Sequence, residues 1–289
     1  VFDVETGPRY LVSDVEITGN VAVTLEEVQA LLRVRPGEPF VQAEFDASVV
    51  EIAELYRRRG YARVRLQQTV PEIPLPEATR RAVAVVIPRI VIEEGEATVI
   101  GSIAFEGNED QTDADLRAAI QSRPNNAYYD AEITADRNAI SSLYLNNGYE
   151  AVSVDVGRTP SADGRTMDVL FTIREGPQII VDHVLIVGNR RIASSTIRRE
   201  ITLAEGEPLG LAEVFESRRR LNALGLFRGI DIREFSHGGG NRRDVVSVVD
   251  EAPATSVAYG AGLEVSQRLR RGSGTAGQAV ERLEFAPRG

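Results

Sequence analysis

Several groups of residues have the types and spacing that chemistry would need. Gly272, Gly274 and Gly277 spell G-x-G-x-x-G, the turn that brings a backbone close to the phosphates of a dinucleotide. That turn works only inside a strand–helix–strand unit with an acidic residue about 20 positions further on, and position 289 is reached before that residue is due. The run His237-Gly-Gly-Gly240 has the composition of an esterase oxyanion loop. No G-x-S-x-G nucleophile elbow accompanies it, so it reads as a hairpin loop. His183 and His237 are the only histidines; one falls in an expected strand and the other in a loop, without a second nitrogen ligand at metal spacing. Glu93-Glu94 and Asp113 with Asp115 have the carboxylate pairing of acid/base work. They sit at a unit boundary and at a helix start, where an acid complements the helix dipole. Arg57–Arg59 and Arg218–Arg220 lie near helix C-termini, where positive charge does the same, and read as solvated faces. No catalytic, cofactor-binding or metal-binding residue is expected.

Composition narrows the classes further. The 289 residues are 43% hydrophobic and 26% charged, an ordinary folded composition. The net charge is −10, with arginine as the only strong base. An acidic surface argues against nucleic acid, whose binding requires cations that displace phosphate counterions. There is no cysteine, hence no disulfide or thiolate metal site. No run approaches the ~18 apolar residues of a membrane helix. The start "VFDVETGPRY" has neither methionine nor signal-peptide character, and the expectation is an excised piece of a longer protein.

The elements repeat. Three alternating strands end in Gly-Asn: "YLVSDVEITGN" to Asn20, "TVIGSIAFEGN" to Asn108 and "IIVDHVLIVGN" to Asn189. Val12, Val15 and Ile17 alternate with polar neighbours as a half-buried strand requires. A short helix follows, opened by capping boxes at Thr24/Glu27 and Thr112/Asp115 and more weakly at Ser195. A longer second helix stops at Gly60, Gly148 and Gly225, where glycine suits the left-handed position past a helix end. Two strands close each copy, joined by "PEIPLPEATRR", "TPSADGRT" or "FSHGGGNRRD". Each copy therefore reads β-α-α-β-β, a three-stranded sheet whose apolar face needs two helices to cover it. The links at 93–98 and 174–178 are too short for free tethers, so a semi-rigid string is expected.

Strand-"GN", helix, "R(P)GEP(F/L)", helix, "GY" or "GLF", strand and strand-"EG", three times in register with "RRRLNALGLFRGIDI" as the most specific stretch, resemble the polypeptide-transport-associated (POTRA) domains of the BamA/TamA outer-membrane assembly and translocation superfamily. The second copy departs by lacking the "GEP" loop. The resemblance implies an α+β fold of three tandem POTRA domains, each a three-stranded mixed sheet backed by two helices, at residues 8–95, 96–176 and 177–253. Residues 254–289 would begin a truncated outer-membrane barrel. In "TSVAYGAGLEVS" the residues Val257, Tyr259, Leu263 and Val265 fall on one side of an alternating strand, the lipid face of a barrel strand.

The same resemblance places the strand after the helix pair at the sheet edge, with residues 61–70, 149–158 and 226–235 offering unpaired backbone groups. Tyr61, Arg63, Val64, Arg65, Tyr149, Val152, Val154, Phe227, Ile230 and Ile232 are the edge residues it nominates for β-augmentation by an extended partner. The implied function is that of periplasmic domains of a bacterial outer-membrane protein. They would capture unfolded outer-membrane barrel polypeptides, accessory lipoproteins or an inner-membrane partner, and guide clients to the barrel. A scaffold of a division or secretion complex in the cell envelope, without client handling, is the second reading. An enzyme is the third and would need a polar cluster in a cleft.

Overall fold

The computed structural model describes residues 9–74, 76, 83–236, 240–253, 262–265 and 285–288. The first unit holds β1 (Arg9–Val12), β2 (Glu16–Thr18), α1 (Leu25–Gln29), α2 (Gln42–Arg58), β3 (Arg65–Thr69), β4 (Glu72–Ile73), β5 (Val83–Val86) and β6 (Arg89–Glu93). The second holds β7 (Val99–Glu106), α3 (Asp113–Ala119), α4 (Asp130–Asn146), β8 (Ser153–Pro160) and β9 (Thr166–Arg174). In the third are β10 (Ile180–Val187), α5 (Ser194–Glu200), α6 (Leu211–Ala223), β11 (Phe227–Ser236) and β12 (Arg242–Glu251). β13 (Gly262–Val265) and β14 (Phe285–Arg288) pair antiparallel as a two-strand sheet. Val257 and Tyr259 lie outside the described residues; Leu263 and Val265 belong to β13.

In the second and third units the closing strand is central, parallel to the first strand and antiparallel to the edge strand, in the orders β7-β9-β8 and β10-β12-β11. The first unit is divided into β1-β5-β4 and β2-β6-β3. Pro88 between β5 and β6 and Pro71 between β3 and β4 explain the division, because proline cannot donate to a ladder. The long strands bend there, and the Ser13 and Glu16 amides bond to the Val86 and Pro88 carbonyls at 2.9 Å each. The other two units relieve the same point with a bulge. Gly101 and Ser102 oppose Asp168 alone, and Asp182 and His183 oppose Asp244.

Both expected capping boxes form, at Thr24/Glu27 and Thr112/Asp115. α5 instead starts from Ala193 with no side-chain cap. At the ends of α2 and α4 the glycine amide bonds two residues into the last turn, and the next tyrosine amide reaches Tyr56 or Tyr144, the double bond of a Schellman motif. Tyr61 and Tyr149 then pack edge-on against Tyr56 and Tyr144.

Each unit has its own core: Phe45, Ile52 and Tyr56 under Ile90; Ile133, Ile140 and Tyr144 under Phe171; Ile197 and Leu221 under Val245 and Val249. A fully covered side chain of this size contributes about 1.5–3 kcal/mol. One position breaks the pattern. Two residues before the central strand's last core position, Ile90 and Phe171 have their counterpart in Ser247, fully buried and with no hydrogen-bond partner for its Oγ among the described residues. Ser247→Ala should therefore raise stability by about 1 kcal/mol, since an unsatisfied buried hydroxyl costs at least that. Urea titration of the third unit would show it, and a lower midpoint would mean the hydroxyl has an acceptor.

Candidate interaction surface

The three units lock to one another through a repeated seat. The glycine that ends the long helix turns its carbonyl outward, and the next unit's first residue donates to it: Thr98 N–H to Gly60 O at 2.9 Å, and Ile179 N–H to Gly148 O at 2.8 Å. Both glycines have positive φ, 90° and 82°. Tyr129 donates to Glu54 across the first junction. Across the second, Gln178 donates to the Asn147 carbonyl at 3.0 Å and the Ala212 amide to Asn146 Oδ1 at 3.1 Å.

One carboxylate per unit, at the end of the closing strand, gathers the Gly-Asn loop. Glu94 accepts the Val21 and Ala22 amides, Glu175 that of Asp110, and Glu251 those of Arg190, Arg191 and Ile192 at 2.7, 2.8 and 2.9 Å. Tyr56 and Tyr144 donate their hydroxyls to Glu94 and Glu175 at 2.9 and 2.7 Å. Burial first and the adjacent carboxylate second push both phenols well above their usual range. Hydrogen bonds from the three amides, with Arg191 beside them, hold Glu251 down to about 2. Its side chain is 7% exposed because the loop wraps it, not because it lies deep in the core. Asp113 accepts from Asn108, Asp115 completes a cap, and Glu93 meets Gln67 on the strand surface. These acids and their partners build loops and caps, and none is paired in a cleft with a second free carboxylate.

Asp182, His183 and Asp244 have donor atoms within 4.8 Å of one another. His183 Nδ1 is 2.9 Å from Asp244 and 3.5 Å from Asp182, and Arg242 Nε is 2.8 Å from Asp182. The hydrogen bond to the Asp244 carboxylate, then the charge of Asp182, raise the imidazole above its usual 6.5. The cluster is thus held together by the His183–Asp244 hydrogen bond and the Arg242–Asp182 ion pair. In the second unit the equivalent Asp168 takes the Ser102 amide and hydroxyl at 2.8 and 2.7 Å, so this carboxylate serves the bulge. His237 and Gly272, Gly274 and Gly277 lie outside the described residues. Of the arginine runs, Arg57 pairs with Glu54, Arg59 with Glu27, and Arg219 and Arg220 with Glu216.

β3, β8 and β11 are edge strands of their sheets. Of the nominated residues, Arg65, Val154, Phe227, Ile230 and Ile232 lie on them. Tyr61, Arg63, Val64, Tyr149 and Val152 precede the strands. Tyr149 is buried, with its hydroxyl 2.6 Å from Asp110, and Val64 and Val152 pack on the cores. Arg63 reaches over the second unit's hairpin turn at Gly164. Beside β8, Thr134 and Arg137 of α4 face Val154, Asp155, Val156 and Arg158 across a cavity of about 120 Å³.

Sequence reading missed the contact of Glu150 with Glu234, carboxyl to carboxyl from the loop after α4 to β11. Desolvation first, then Glu150, push Glu234 up to about 7, while Arg243 pulls the other way. Because its folded value is raised above the unfolded 4.5, Glu234 stabilises its contact with Glu150, and so the junction, at acid pH. That contribution is lost as pH rises from about 4.5 through 7. The spacing of spin labels on the second and third units should widen between pH 5.5 and 8, and Glu234→Gln should remove the dependence. An unchanged distance in the parent would overturn this.

Three stretches, residues 10–95, 98–176 and 179–252, match the family model POTRA, described as surface antigen variable number repeat. Outer membrane protein assembly factor BamA of Neisseria meningitidis serogroup B is 22% identical over 238 residues, covering 78% of this chain and 29% of that protein. Its namesake from Nitratidesulfovibrio vulgaris is 24% identical over 246 residues, covering 80% and 30%. This chain thus spans under a third of the length of these relatives. Among solved structures, Haemophilus influenzae BamA POTRA3-5 aligns with a TM-score of 0.48 and 22% identity, over 84% of this chain and 96% of that one. With three consecutive matches covering most of its length, the chain belongs to the POTRA family.

Proposed function

We propose that the chain is the periplasmic arm of an outer-membrane protein assembly factor, and that it works by lending backbone edges to extended polypeptides. The observation that carries this is a row of edge strands, of which β8 and β11 have eight and ten residues. An extended chain laid beside such an edge gains main-chain hydrogen bonds without regard to its sequence, and neighbouring side chains add selectivity. Unfolded barrel proteins consist of short segments of that kind. The BamA names of the relatives support the compartment and the client class.

The test places photo-cross-linking residues singly along 153–160 and 227–236 in the full-length protein during synthesis of a barrel protein. Adducts to the nascent chain are expected at alternate positions. Capture of envelope subunits alone would favour the scaffold reading, and no adduct at either edge would refute the proposal.

A further inference from the structure

The bulge of the third unit gathers an imidazole and two carboxylates. Successive residues of a strand ordinarily point to opposite faces, but here Asp182 and His183 of β10 together oppose Asp244 of β12, the re-aiming that an extra residue produces. His183 Nδ1 lies 2.9 Å from Asp244 Oδ1 and 3.5 Å from Asp182 Oδ2. The donor atoms of all three residues fall within 4.8 Å of one another. An ion bonded at about 2.1 Å spaces its ligand atoms about 3.0 Å apart at right angles and about 3.4 Å apart at tetrahedral angles. Both separations from the imidazole are of that size.

The second unit carries the same bulge without such a donor set. There Gly101 and Ser102 oppose Asp168, and Ser102 satisfies the carboxylate with its own amide and hydroxyl at 2.8 and 2.7 Å. A serine and one carboxylate therefore suffice to build the bulge. The third unit replaces the glycine and serine with aspartate and histidine, both common metal ligands. Arg242 Nε donates to the other oxygen of Asp182, Oδ1, at 2.8 Å. The guanidinium thus holds the carboxylate while Oδ2 faces the imidazole, as outer partners hold ligating carboxylates. Glu205 accepts the Val184 amide at 3.2 Å, so among the described residues three carboxylates and one guanidinium adjoin the bulge. The Asp182 and Asp244 side chains are 18% and 23% exposed and that of His183 60%, which gives fixed carboxylates and an open entry.

We propose that Asp182, His183 and Asp244 form a site for one divalent transition-metal ion of the Zn²⁺ class, which staples β10 to β12. The ion takes the place between His183 Nδ1 and Asp244 that the hydrogen bond now fills. Asp182 Oδ2 is the third ligand, and water completes the sphere. An imidazole nitrogen with two carboxylates suits Zn²⁺ or Mn²⁺. Mg²⁺ prefers oxygen ligands and gives up its water reluctantly. The two ligating strands are those on which the chain enters and leaves the third domain, so the ion cross-links that domain's ends. The site stands apart from the edge-template function and survives its failure.

The experiment uses the intact chain, dialysed against a chelator and then titrated with ZnCl2, MnCl2 or MgCl2. Calorimetry should show one tight Zn²⁺ per chain, with Mg²⁺ bound at least about tenfold more weakly. Loss of an outer partner alone costs about 10–100-fold in metal affinity. His183→Asn and Asp244→Asn, each removing a ligand, should therefore weaken Zn²⁺ by at least about tenfold. Asp168→Asn at the corresponding bulge of the second domain should leave the affinity unchanged. Mn²⁺ tests the site without any variant, since its paramagnetism should broaden the Val184 and Val245 amides first. Zn²⁺ should also slow hydrogen exchange along the β10–β12 ladder and leave the β7–β9 ladder as it was. No binding, unchanged affinity in either Asn variant of the third domain, or broadening centred elsewhere would overturn the site. Binding at the bulge without slower exchange would overturn the staple.

Discussion

Gly148→Ala should loosen the second junction by on the order of 3 kcal/mol, from about 1–2 for an L-residue in the left-handed region and the rest for a lost backbone bond. An alanine Cβ there would lie 2.6 Å from the Ile179 carbonyl oxygen and 3.1 Å from the Leu209 amide nitrogen. Relief means moving the third domain off its seat. Gly225→Ala is the internal control. Its φ is also positive, 64°, but an added Cβ meets nothing within 4 Å, so only about 1–2 kcal/mol is expected. Hydrogen exchange at the Ile179 amide reports the difference directly, and equal effects of the two changes would reduce the seat to a helix cap.

Asp136→Ala should be a strongly damaging polar truncation in the second domain. Asp136 is 1% exposed and accepts the Gln121 amide at 2.7 Å and the Ser122 amide at 3.1 Å. Removing it strands the buried Ser122 donor, at about 1–3 kcal/mol, and leaves the half-buried Gln121 donor without its partner at a smaller cost. Asp136→Ser should recover roughly half of the loss, because Ser48 and Ser217 each hold one such amide in the other domains. Chemical denaturation of the three proteins gives the ranking. Serine no better than alanine would show that the carboxylate acts by some route other than those two amides.

What could be read from residues alone was local. Gly-Asn turns, the Thr24 and Thr112 caps and glycine after the long helices depend on neighbours within a few positions, and all three appear in the fold. The break in the first sheet was also written locally, in Pro71 and Pro88, yet its effect on strand pairing depends on which strands face those prolines. Other features required superposing distant parts. Glu94, Glu175 and Glu251 recur at the end of each closing strand, a signal that was present, but their amide partners lie some sixty to seventy positions upstream. The edge residues divided for the same reason. Tyr61 and Tyr149 sit where an alternating pattern starts a strand, whereas the Schellman bonds keep them in the helix termination.

The ordering of each sheet bears on how the arm carries load. In the second and third domains the chain enters on one strand and leaves on its parallel neighbour, β7 beside β9 and β10 beside β12. Tension on the two ends therefore drags these strands past each other lengthwise, and their ladder bonds must fail together, not one after another as in a hairpin unzipped from its mouth. Each seam between domains rests on far fewer bonds. Stretched between its ends, the arm yields at the seams first and keeps its sheets intact, a compliant strut with stiff segments.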